Sequence, residues 1–78
     1  MTTSDLLLRI ECTAFFRQNP YTFETEEGIA LRLGRVGADV RPALEHLVDS
    51  GILNRIGEGS SAIYRYLQPL VQEEREFL

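Results

Sequence analysis

The sequence predicts a small α+β domain: three helices, a short strand after the first of them, a C-terminal β-hairpin and a short helical tail. Three observations carry this. Apolar residues recur at three- and four-residue steps as far as Gly51, as helix faces require. Beyond Gly51 the pattern changes to two β-prone runs, Ile52–Ile56 and Ala62–Leu67, around the turn-rich stretch Gly57–Ser61. The chain has 78 residues, 44% hydrophobic and 26% charged, which suits one globular domain with its core in residues 4–67 and a tail over 68–78.

The first helix is expected over Ser4–Gln18. Ser4 is placed to cap it, and Asp5 then lies at the positive end of the helix dipole. Leu7, Ile10, Ala14 and the Phe15–Phe16 pair form its apolar face. Asn19-Pro20 stops it, because the residue before a proline is driven out of the α region. Tyr21-Thr22-Phe23 is aromatic and β-branched, so a brief strand is expected there. Phe15, Phe16 and Phe23 are expected in the core.

Thr25 is the expected cap of the second helix, with Glu26 and Glu27 in its first turn. Ile29, Ala30 and Leu33 face inward, and Gly34 ends the helix in the left-handed conformation. Gly28 costs helix propensity, and its missing side chain is expected to admit the first helix. The third helix is expected over 39–50. Asp39 caps it, and Pro42 falls in a first turn where its absent N–H breaks no bond. Val40, Leu44, Leu47 and Val48 stand at i, i+4, i+7 and i+8, a continuous apolar stripe. In the tail, Leu70, Val71, Phe77 and Leu78 share one helical face.

Composition narrows the function. Acidic residues outnumber basic ones 12 to 8, for a net charge of −4, and every basic residue is arginine. The charge is uneven: −3 over residues 1–28, +1 over 29–67 and −2 over 68–78. Only the middle of the chain suits a polyanion. A single cysteine, Cys12, forms no internal disulfide and is read as a buried apolar group; with His46 alone beside it, no metal site is expected. No cofactor-binding motif and no catalytic spacing stands out, so an enzyme is not expected. No apolar run reaches the roughly 18 residues of a membrane span, and the N-terminus lacks a basic leader, so a cytoplasmic protein is expected.

Residues Ile29-Ala30-Leu31-Arg32-Leu33-Gly34, then Val40 to Leu53, then Arg55 and Tyr64-Arg65-Tyr66, resemble the winged helix-turn-helix domain of bacterial and archaeal transcription regulators. The likeness covers about residues 5–67 and is specific for the fold rather than the function. The resemblance implies that the third helix lies in the major groove and that the hairpin, residues 52–67, is a wing touching the DNA backbone or minor groove. It places contact candidates at Arg35, Gly37, Ala38, Arg41, Pro42, Glu45 and His46, and in the wing at Arg55, Ser60, Ser61 and Arg65. It also implies a homodimer, for which the apolar termini Leu6-Leu7-Leu8 and Leu70, Val71, Phe77 and Leu78 are candidates.

The outward stripe of the third helix tempers that expectation. Opposite the apolar face stand Pro42, Glu45, His46 and Asp49, with Arg41 on the flank. Two carboxylates there repel phosphate, although a glutamate can accept from the cytosine amino group. Arg41 either meets phosphate or pairs with Glu45 one turn on. Arg55 and Arg65, expected across from each other on the hairpin, suit phosphate, Glu58 or a partner's carboxylates. His46 reads as a solvated residue, and Tyr64 and Tyr66 as strand packing. The expectation is a homodimeric transcription regulator binding double-stranded DNA; the alternative is a winged-helix module that binds protein and no nucleic acid.

Overall fold

The computed structural model describes residues 3–67. The tail and its apolar residues Leu70, Val71, Phe77 and Leu78 lie outside the described residues. The order is α1 (Thr3–Gln18), β1 (Phe23–Thr25), α2 (Glu26–Leu33), α3 (Gly37–Asp49), β2 (Leu53–Ile56) and β3 (Ile63–Tyr66), with a single 3-10 turn over Gly59–Ser61 in the hairpin. The three strands form one antiparallel sheet in the order β1-β3-β2. Phe23 stands opposite Arg65, and Arg65 opposite Asn54. The fold class is therefore α+β, with three α-helices against a three-stranded antiparallel sheet.

Helix α1 is turned relative to expectation. Leu8, Cys12, Phe15 and Phe16 enter the core, while Leu7, Ile10 and Ala14 face out. The helix has two apolar stripes, and the aromatic pair decides between them. Phe15 and Phe16 meet edge to face, with ring centroids 5.0 Å apart, and carry Leu8 and Cys12 inward with them at four-residue steps. Leu8 is thus a core residue, 7% exposed, and not part of an exposed dimer surface. Ser4 sits inside the first turn of α1 rather than before it.

The turn after α1 takes up Pro20 to Thr22, because the Thr22 N–H donates to the Asn19 carbonyl. Strand β1 consequently starts at Phe23, two residues later than expected. Successive strand residues point to opposite faces. Tyr64 and Leu53 are buried against the helices, so Phe23 projects to the other face and is 59% exposed. It is not a core residue.

Thr25 caps α2 as expected: its hydroxyl accepts from the Gly28 N–H at 3.2 Å. Gly34 ends the helix at φ 70. Gly28 has a different purpose from the one expected. A Cβ there would lie 2.2 Å from a Glu24 carboxylate oxygen, so the missing side chain makes room for Glu24 and not for α1.

Helix α3 begins two residues early, at Gly37, with Val36 as an N-cap that supplies no side-chain hydrogen bond. Asp39 therefore lies inside the first turn, still favourable for the dipole, but does not cap. Pro42 lies past the first turn and offers no N–H to the carbonyl of Ala38; Ala38 is exposed, where water can satisfy that oxygen. The inner face is the expected one, with Val40, Leu44 and Leu47 buried, and Ala43 added to it. Among the described residues no helix is long and apolar enough to cross a membrane.

The core joins α1, α2, α3 and the inner sheet face through Phe16, Ile29, Leu44, Leu53 and Val40, all fully buried. Phe16→Ala should cost about 3–5 kcal/mol in urea unfolding, as a large buried ring leaves a cavity. Ile10→Ala, on the outward stripe of α1, should stay within about 1 kcal/mol.

Candidate functional site

Three of the five arginines in the middle of the chain are held by carboxylates. Arg41, at the start of α3, forms two hydrogen bonds to Glu26 at the start of α2, at 2.9 and 2.6 Å. Arg35, in the turn between α2 and α3, grips Glu11 of α1 in the same forked way at 3.1 and 2.7 Å. Arg32 lies 3.3 Å from Glu24 and stacks over the Phe15 ring. Planar guanidinium matches planar carboxylate, so the two forked pairs are the stronger ones.

These contacts link separate elements. The Arg41–Glu26 pair ties α3 to α2, and the Arg35–Glu11 pair ties the α2–α3 turn to α1. Arg41 does not take the expected Glu45. The hydrogen bonds from Arg41 hold the Glu26 carboxyl below its ordinary value against burial, which acts the other way. Arg35 does the same for Glu11. Both arginines are pushed further toward the charged form by these partners.

Glu45, Asp49 and Pro42 stand exposed on α3, as the spacing predicted. His46 is exposed too, but its ring nitrogen meets Arg9 of α1 at 2.5 Å and Ser50 at 3.4 Å, so it is engaged along the α1–α3 seam. Gly37 and Ala38 form the first turn of α3, with Val36 exposed ahead of them. Cys12 is fully buried, and burial raises its thiol to about 11, which makes it unreactive at neutral pH.

The hairpin arginines do not face each other. Arg55 is opposite Tyr64 and Arg65 is opposite Asn54, so the two side chains leave opposite faces of the sheet. Among the described residues neither has an ion-pair partner. Arg65 stacks over Phe23, 5.8 Å from the ring centre. Ser60 and Ser61 lie exposed in the 3-10 turn at the hairpin tip, the Ser61 hydroxyl donating to the Glu58 carbonyl.

The strand register gathers a surface that sequence reasoning missed. Phe23, Arg65 and Asn54 form one row across the outer face of the sheet, and Thr25, Ile63 and Ile56 form the next. Phe23 and Ile56 are exposed. No carboxylate belongs to these rows. The signal was present as alternation within each strand, but which face was buried depended on tertiary packing.

No family model, curated protein or solved structure matches the chain.

The Glu26 carboxylate supplies a pH-dependent tie between α2 and α3. A carboxyl held low in the folded state stabilises above the ordinary value, 4.5, and that stability fades as pH falls through the lower folded value. Glu26→Gln should lower the urea midpoint at neutral pH. The gap to the parent protein should narrow as the pH is taken below 4.5 and through the lowered folded value, where the parent loses the same charge.

Proposed function

We propose that the chain is a winged-helix module that docks onto a protein partner through the outer face of its sheet. The element order α1-β1-α2-α3-β2-β3 and the sheet order β1-β3-β2 support that layout, with the β2–β3 hairpin as wing. One observation carries the functional reading: the contrast between two surfaces. The solvent side of α3 offers phosphate two carboxylates, Glu45 and Asp49, while the nearby Arg35 and Arg41 are already held by Glu11 and Glu26. The outer sheet face offers Phe23, Ile56, Ile63 and Arg65 with no carboxylate in either row. Aromatic, aliphatic and arginine side chains with few acids are the composition of a protein interface core.

Duplex DNA is the second reading, favoured by the wing. Arg55 and Arg65 have no carboxylate partner among the described residues, and the start of α3 carries no side-chain cap over its free N–H groups. Helix N-termini of this kind attract anions.

Titration of a fluorescent mixed-sequence duplex at low ionic strength separates the two. The docking reading expects no salt-dependent binding. Binding whose log affinity falls steeply with log salt, with a slope that shrinks in the Arg55→Ala, Arg65→Ala double variant, would establish the DNA reading instead. For docking, a partner cross-linked in cells should be lost in the Phe23→Asp, Ile56→Asp double variant and kept in Glu45→Lys. Equal loss in both, or in neither, removes the sheet face from the proposal.

A further inference from the structure

Arg65 stands at the middle of the outer sheet face. Its strand, β3, lies between β1 and β2. On that face Arg65 has Phe23 on one side and Asn54 on the other. Ile63 precedes it by two residues, with Thr25 and Ile56 on either side of that isoleucine. Leu67 follows by two and continues the ladder, its N–H donating to the Ile52 carbonyl. Alternation puts Ile63, Arg65 and Leu67 on one side of β3. Phe23, Ile56 and Leu67 are all exposed.

Among the described residues, the one charge in these rows is the Arg65 guanidinium at their centre. Glu24 lies between Phe23 and Thr25 in β1, but it stands opposite Tyr64, which is buried against the helices. Its carboxylate therefore leaves the other side of the sheet, where Arg32 meets it. Arg65 has no ion-pair partner among the described residues and stacks over the Phe23 ring. Stacking uses the flat side of a guanidinium. The N–H groups at its edge remain to donate, and they match a carboxylate two at a time.

That central charge discriminates between occupants. Paired copies of one chain are related by a two-fold axis. Two copies joined face to face through this patch would bring its centres together. The two guanidiniums would then meet where water is excluded, and neither face carries an acid to separate them. A different protein can set a carboxylate at that point.

We propose that the partner of the outer sheet face is a different protein, whose surface sets one carboxylate against Arg65 within a ring of apolar side chains. Arg65 at the same time keeps a second copy of this chain off the face. This assignment rests on the docking reading and names the chemistry of the partner.

The test uses the full-length chain in sedimentation equilibrium, with a charge-reversed copy of the face as the probe. Parent and Arg65→Glu should each be monomeric alone and should associate when mixed. The mixed pair should be at least about tenfold tighter than either chain with itself, the scale of one close charge pair. Phe23→Asp in either member should abolish it. Arg65→Leu, which removes the repulsion, should pair with itself at least about tenfold more tightly than the parent does. Circular dichroism checks that each variant folds, and Arg65→Leu carries the test alone where Arg65→Glu does not. No gain on mixing, or a parent that pairs with itself as tightly as Arg65→Leu, would overturn the proposal. If the mixture gains nothing while the cross-linked partner still depends on Phe23 and Ile56, the carboxylate falls and the docking reading stands. Loss of that dependence removes the docking reading itself, whatever the mixture does.

Discussion

A carboxylate taken out of water must find a cation, and Glu26 finds Arg41. That requirement fixes how α2 and α3 meet, because the acid is buried at the start of one helix and the base extends from the start of the other. Leaving Glu26 buried without its partner would cost more than the pair gains, so the contact specifies geometry more than it adds stability. The same logic at Arg35 and Glu11 ties the connecting turn to α1. The two pairs tie the three helices together, and they also pair the charges of two exposed guanidiniums on which phosphate recognition would draw.

Charge counted along the chain misled for this reason. The middle of the sequence carries a slight positive excess, but its arginines are answered by acids from other segments: Glu11, Glu24 and Glu26 all precede residue 29. An ion pair is decided by distance in space. Once folded, the chain leaves Arg55 and Arg65 on opposite faces of the hairpin rather than a cationic stripe along α3.

Helix α1 shows the other consequence of a small fold. It is apolar on two sides, and the core can cover only one of them. Aromatic volume settles which: Phe15 and Phe16 join the buried cluster that holds Leu44 and Val40, and the stripe of Leu6, Ile10 and Ala14 is left exposed. The sheet has a comparable outer face, where Phe23 is turned away from the core by the alternation that buries Tyr64.

Much of the backbone was legible in the residues themselves. The three helices, the Thr25 cap, the left-handed Gly34, the inner stripe of α3 and the hairpin follow from local sterics, hydrogen bonding and periodicity, which act within a few residues. The third helix's acidic outward stripe was legible for the same reason. What only the tertiary structure decided were the choice between two apolar faces of α1, the strand face on which Phe23 and Arg65 project, the purpose of Gly28, and the partner of every central arginine that has one. Those outcomes depend on which segments meet, and segments far apart in sequence compete for the same volume and the same charges only after the chain has folded.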